Sequence, residues 1–179
     1  MHGTIFAELK KFVTEKAGLD TWNAILEKSG SKRTVFLVTE AYPDQELVAL
    51  VGAASQLLQK PVPDILQAFG EFIVPDLAKI YRALIKPEWG LLDLLENTES
   101  VIHTTIRLKD PAAEPPRLKC SRPNASEVVI TYTSQRKLCP VAKGIVKGLA
   151  DFYHEKVDIS ESSCMLKGDS QCLISVKKS

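Results

Sequence analysis

The stretch Glu127-Val128-Val129-Ile130-Thr131-Tyr132-Thr133-Ser134-Gln135-Arg136 marks the point where the chain changes character. Upstream of it, apolar residues recur at helical spacing. From Glu127 to Thr133 the β-branched residues alternate in the manner of a strand. Read onward as extended chain, Tyr132, Ser134 and Arg136 project to one side. A phenol, a hydroxyl and a guanidinium in a row are all donors, and arginine forks onto carboxylates. The row therefore suits an anionic ligand bearing carboxylates. Alternation alone favours a plainer reading, a solvated strand face with an exposed arginine.

Towards the N-terminus the pattern is helical. Ile5, Leu9, Phe12 and Val13 share one helical face over residues 4–17, and Gly18 is a natural stop. Asp20 is placed to cap a second helix carrying Trp22, Ile25 and Leu26. Residues 29–43 read as irregular. Helices follow over 44–58, from Pro63 through Phe69, and over 75–85. Residues 90–108 read as one strongly apolar helix containing His103. Pro111, Pro115, Pro116 and Pro123 then impose extended or loop chain on 110–124.

Beyond the opening stretch, residues 140–154 read as a helix. Residues 156–161 and 171–177 read as a hairpin turning at Lys167-Gly168-Asp169. Helices first, then an antiparallel sheet with a helix inserted, is the element order of an α+β fold. The 179 residues fit a single domain. The sheet half is too small to expect a core of its own, so both halves belong to one folding unit.

Composition narrows the function. Apolar residues make up 45% and charged residues 25%, and 23 basic residues balance 22 acidic ones to a net charge of +1. That balance gives no electrostatic case for nucleic acid or an anionic membrane. No apolar run approaches the roughly 20 residues that span a bilayer. Met1 to Phe6 lacks the basic and long apolar regions of a signal peptide, so a cytoplasmic protein is expected. There is no G-x-G-x-x-G after a strand, no P-loop and no G-x-S-x-G. Nothing pairs as acid and base or as nucleophile and base, which favours a binding or sensing domain over an enzyme.

The chain's three histidines are His2, His103 and His154. A neutral imidazole at His103, among Val101, Ile102 and Ile106, can ligate a metal ion or haem iron. Taken alone, such a histidine is more often a core residue bonded to a carbonyl. The cysteines are Cys120, Cys139, Cys164 and Cys172. In a reducing compartment they are thiols or metal ligands rather than disulfides. Cys164 and Cys172 flank the hairpin turn, and Cys139 belongs to the same half. Three thiolates could hold zinc, but a tetrahedral site needs a fourth ligand. Glu161 is nearest in sequence and His154 is a second candidate. The C-x7-C spacing is not a standard zinc knuckle, so buried or redox-active thiols remain an equal reading.

Met1-His2-Gly3, Asp20-Thr21-Trp22, Leu50-Val51-Gly52-Ala53-Ala54-Ser55, Ala68-Phe69-Gly70-Glu71, His103, Pro116 and the Y-x-S-x-R run of Tyr132, Ser134 and Arg136 together resemble the H-NOX family. These are haem–nitric oxide/oxygen binding domains, and they include the sensor domain of soluble guanylate cyclase. The resemblance covers essentially the whole chain. It implies haem b held between a distal helical subdomain (1–60) and a proximal subdomain (61–179). His103 would be the axial ligand, with Tyr132, Ser134 and Arg136 on the propionates. Pro116 would press on the haem and distort it. Met1, Ile5, Ile73, Leu118 and Val141 would line the pocket, Leu118 standing where many members carry Phe.

Oxygen-binding members place a polar distal donor where this chain has Val141 and Ile73. The resemblance therefore implies nitric oxide and carbon monoxide as ligands, with little stable oxygen binding. It implies signalling by a ligand-driven rearrangement to a separate effector, a histidine kinase or a cyclic-di-GMP enzyme. Some bacterial members hold zinc with three cysteines and a histidine. Cys139, Cys164 and Cys172 match those cysteines, and Glu161 stands at the histidine position. A thiol or zinc redox sensor built on these residues is the alternative function.

Overall fold

A computed structural model describes residues 1–111 and 113–179, with seven α-helices preceding a four-stranded sheet. The chain divides into two compact units, Met1–Phe69 and Gly70–Ser179.

The first unit contains α1 (Gly3–Ala17), α2 (Leu19–Ser29), α3 (Asp44–Leu58) and most of α4 (Val62–Phe72). Gly18, at φ 89°, closes α1 and also opens α2. Asp20 therefore lies inside the first turn of α2, where its charge favours the helix N-terminus, rather than capping it. Between α2 and α3 the chain is irregular as expected, but it is anchored. Phe6 and Phe36 stack with ring centroids 4.5 Å apart, Tyr42 packs edge-on against both, and the Leu37 N–H donates to the Tyr42 hydroxyl at 2.7 Å. Gly3 is required here: a Cβ on it would come within 1.9 Å of the Leu37 carbonyl oxygen.

The second unit begins with the end of α4 and α5 (Val74–Ile80), then α6 (Leu91–Asn97) and α7 (Thr104–Lys109). The sheet strands are β1 (Arg117–Asn124), β2 (Glu127–Thr133), β3 (Val157–Ser163) and β4 (Cys172–Lys178), with α8 (Cys139–Phe152) between β2 and β3. All pairings are antiparallel, in the order β1-β2-β4-β3. The alternation in the opening stretch is realised. Val128, Ile130 and Tyr132 are buried, as are Cys172, Ile174 and Val176 of the neighbouring strand. They pack with Leu91, Leu92, Leu94 and Leu95 of α6 and Val146, Leu149 and Ala150 of α8 in one core. Fully burying each such aliphatic side chain contributes about 1.5–3 kcal/mol, which fixes the register of β2.

Three local expectations differ from what is observed. Residues 117–124 form a strand despite Pro123, because β1 lies at the sheet edge and its pairing with β2 shifts register between Ser121 and Asn124. The apolar helix through His103 is not continuous: Thr98–His103 is a π-helical segment between α6 and α7. Its wider turn is seen where the Thr104 N–H bonds the Glu99 carbonyl, five residues back. Finally, β2 ends at Thr133. Ser134 to Lys137 form a turn, with the Arg136 N–H on Ser134 Oγ at 3.2 Å, the Lys137 N–H on the Ser134 carbonyl at 3.1 Å and Lys137 at φ 51°. A serine hydroxyl competing for backbone donors stops the strand, so Ser134 and Arg136 are not carried by strand alternation. Among the described residues, no helix is long and apolar enough to cross a membrane.

Candidate ligand site and thiol cluster

His103 closes the π-helical segment, and its side chain is 12% exposed. Its Nδ1 lies 2.9 Å from Glu99 Oε2. Burial pushes the imidazole pKa down, and the Glu99 carboxylate only partly opposes this. A neutral ring therefore donates its Nδ1 proton to the carboxylate, which leaves the lone pair on Nε2. That is the tautomer a metal-ligating histidine needs. The Pro116 carbonyl also faces the ring, which brings Pro116 beside His103.

Glu99 was not anticipated from the sequence. Oε2 also accepts the Leu118 N–H at 3.1 Å, and Oε1 takes Arg107 Nη2 at 2.5 Å, with Arg117 further off at 3.8 Å. Burial would raise the Glu99 carboxyl, but the bonds from His103, Arg107 and the Leu118 N–H outweigh it and hold the pKa low. Glu99, His103 and Arg107 stand at i, i+4 and i+8, a one-face spacing that the sequence does display.

Tyr132 is buried at the end of β2, with its hydroxyl bonded to Ser134 and facing the Leu138 backbone. Burial, chiefly, pushes its pKa up to about 12. The Arg136 guanidinium reaches back to the Glu114 carbonyl and lies 3.3 Å from the Glu114 carboxylate. Tyr132 and Ser134 thus meet at the end of β2, while the Arg136 guanidinium, two residues on, is directed to Glu114. A largely enclosed imidazole whose pKa is pushed down, and hydrogen-bond donors for carboxylates, are what an iron-bearing macrocycle with propionates requires, so the residues fit haem. Leu118 lies opposite Tyr132 across β1 and β2.

Val141 and Ile73 both belong to the second unit. A Cβ on Gly70 would come within 2.3 Å of the Val141 carbonyl oxygen, so only glycine lets α4 approach α8 this closely. Ile73 is 2% exposed. Neither side chain can donate a hydrogen bond. Met1 and Ile5 are in the first unit, half-buried, where Met1 is tied to Tyr42 by backbone bonds of 2.6 and 2.9 Å.

Cys139, Glu161, Cys164 and Cys172 converge, with one ligand atom from each within 4.8 Å of all the others. The Cys139 and Cys164 sulfurs are 3.8 Å apart. A tetrahedron with zinc–sulfur bonds of about 2.3 Å has an edge of about 3.8 Å. Glu161 Oε2 holds Lys143 Nζ at 2.9 Å, whereas Oε1 is buried with no hydrogen-bond partner. The Met165 N–H points at Cys172 Sγ, 3.2 Å away. Burial raises the pKa of the Cys139 and Cys172 thiols. A carboxylate oxygen with no partner, beside three closely spaced sulfurs, fits a cation. His154, the other candidate fourth ligand, is exposed in the turn after α8 at φ 56° and is outside the cluster. Cys120 is apart from the cluster, its thiol on the Leu95 carbonyl and raised by burial to about 11.

The chain matches the model of the Haem-NO-binding family over residues 2–161. Among solved structures it is similar to an H-NOX protein from S. oneidensis in the Fe(II)NO ligation state. The TM-score is 0.92 at 28% identity, covering 100% of this chain and 99% of that one. An H-NOX domain from Shewanella oneidensis in the Fe(II)CO ligation state, determined by NMR, gives 0.88 at 27% identity with coverage of 100% and 99%. Soluble guanylate cyclase gcy-35 of Caenorhabditis elegans is 27% identical over 158 residues, which is 84% of this chain but 22% of the cyclase.

Proposed function

We propose, from the premise that this chain belongs to the Haem-NO-binding family, that it is a haem-based nitric oxide sensor that signals to a separate effector. The observation that carries this reading is the setting of His103: its side chain is 12% exposed, burial pushes its pKa down, and its Nδ1 lies 2.9 Å from the Glu99 carboxylate, which leaves Nε2 for a metal. Haem b, when bound, would supply a ferrous iron able to take up a diatomic gas. His103 holds that iron through Nε2. Tyr132, Ser134 and Arg136 hold the propionates, and for this Arg136 exchanges Glu114 for a ligand carboxylate. Pro116, beside the His103 ring, presses on the macrocycle, and Leu118 lies near it. Met1 and Ile5 of the distal part (1–60) and Ile73 and Val141 of the proximal part (61–179) are the residues proposed for the haem pocket. With no hydrogen-bond donor at Val141 or Ile73, the reading favours nitric oxide and carbon monoxide over oxygen as ligands.

A change in the tether at His103 shifts the segment Thr98–Lys109 and so biases a two-state rearrangement. A cytoplasmic histidine kinase or cyclic-di-GMP enzyme is the effector class proposed to receive it. The protein itself is read as a sensor rather than an enzyme. The test is the Soret band of the purified protein. Its loss in His103→Gly, with recovery on adding imidazole, is expected. An undiminished band in His103→Gly would reject His103 as the ligand.

A second reading concerns the thiol cluster, because Glu161 Oε1 is buried and unpartnered there. We read it as a zinc site of Cys139, Cys164, Cys172 and Glu161, whose thiolates could serve as a redox sensor. Burial and raised thiol pKa values make the metal-free cysteines poor nucleophiles, which favours a metal over free reactive thiols.

A further inference from the structure

We propose that Glu99 is the positioning residue for the iron ligand: it accepts the His103 Nδ1 proton and ties that imidazole to the first residues of β1. The inference rests on His103 being the ligand, as proposed above.

A histidine that binds a metal through one nitrogen is tuned by what the other nitrogen meets. A carbonyl acceptor leaves the ring a modest donor, whereas a carboxylate draws the proton and makes Nε2 a stronger one. In this chain the 2.9 Å partner is a carboxylate, and its two oxygens are divided between tasks. Oε2 serves His103 and the Leu118 N–H, and Oε1 serves Arg107 and, more distantly, Arg117. Arg107 therefore withdraws charge from the carboxylate without competing for the oxygen that His103 uses. The acceptor strength at His103 is set between that of a carbonyl and that of an unpaired carboxylate.

The same geometry fixes direction. Glu99 sits in the π-helical segment that ends at His103, so one short piece of chain carries both. Its bond to the Leu118 N–H crosses to β1, and Leu118 stands opposite Tyr132 in the sheet. Any displacement of His103 must either carry Glu99 with it and load the start of β1, or break the 2.9 Å bond. Glu99 is thus the joint through which the ligand histidine acts on the strand that follows Pro116.

The test is the iron–histidine stretching band of the gas-free ferrous holoprotein, read by resonance Raman. Glu99→Gln keeps the side-chain shape and lowers the acceptor strength, and the band is expected to move to lower frequency. Haem transfer to apomyoglobin is expected to quicken about 10-fold, the low end of what the loss of such an outer partner costs. Arg107→Met removes the competing charge and is expected to leave the band unmoved or raise it. Glu99→Asp keeps the charge but shortens the reach, and serves as a second probe expected to lower the band. Bands at the wild-type frequency in both Glu99 variants would overturn the proposal. So would a fall in Arg107→Met matching that in Glu99→Gln, since general loosening would then account for both. A band that survives in His103→Gly would instead reject the ligand assignment itself.

Discussion

Tyr132 on β2 stands directly opposite Cys172 on β4. With Leu118 opposite Tyr132 on the other side, one row across three strands joins the Glu99 contact, the proposed propionate clamp and the thiol cluster. Tyr132 is thus shared ground: its hydroxyl meets Ser134, and its ring lies beside the strand that supplies a cluster sulfur. We expect Cys172→Ala to lose bound zinc and also to quicken haem loss. Metal analysis together with haem transfer kinetics reads both. Zinc loss with unchanged haem retention would mean that the row transmits nothing.

The metal site also predicts a pH dependence. Burial raises the Cys139 and Cys172 thiols above their ordinary range, so they are protonated near neutrality when no metal is bound. Zinc must displace those protons, and its apparent affinity rises with pH. Competition against a chelator on either side of neutrality measures the slope. Protein purified without added zinc is expected to hold about one equivalent, and less than about half with free thiols would favour the redox reading.

Arg136→Ala should weaken haem retention most within the clamp. A hydrogen bond to a charged group contributes about 1.5–3 kcal/mol, which corresponds to roughly 10–100-fold faster haem loss. Tyr132→Phe removes an uncharged donor to the same kind of carboxylate, at the low end of that range, and should quicken loss about 10-fold. Stopped-flow transfer to an acceptor protein ranks them. Equal, unchanged rates in both would remove these residues from the clamp.

Pro116→Ala tests the pressing role. Proline holds its backbone at a fixed φ, and its carbonyl faces His103. Alanine should let the macrocycle flatten, seen as weaker out-of-plane bands in resonance Raman. Undiminished bands would assign any distortion to another residue.

Val141→Tyr tests gas choice. Wild-type ferrous protein should form no stable oxygen complex in air. The introduced phenol supplies a donor and should yield one, visible in the absorption spectrum. A stable oxygen complex in the wild type would contradict the distal assignment.

Much of this was legible because the strongest signals are periodic or chemically rare. The alternation of Val128, Ile130 and Tyr132 located β2, and the prolines after residue 110 located the crossover. Cys164 and Cys172 flank a hairpin turn, which brings them together whatever the details. Other features depend on geometry that side-chain patterns do not report. The π-helical turn at Thr98–His103 is a one-residue change in backbone hydrogen bonding, which the spacing of side chains does not report. The turn at Ser134 depends on a hydroxyl competing with the strand ladder. The spacing of Glu99 to His103 is visible in the sequence, but its role emerges only when β1 brings the Leu118 N–H to it. Lys143, paired with Glu161, was hidden because the pair joins α8 to β3 across 18 residues.

The central claim is a haem iron bound by His103 that responds to nitric oxide. It is tested most directly by the absorption spectrum of the ferrous protein before and after nitric oxide is added anaerobically. The account predicts a five-coordinate ferrous Soret band that shifts on adding nitric oxide and is absent in His103→Gly without imidazole. A protein that carries no Soret band after reconstitution with haem, or whose band ignores nitric oxide, would contradict it.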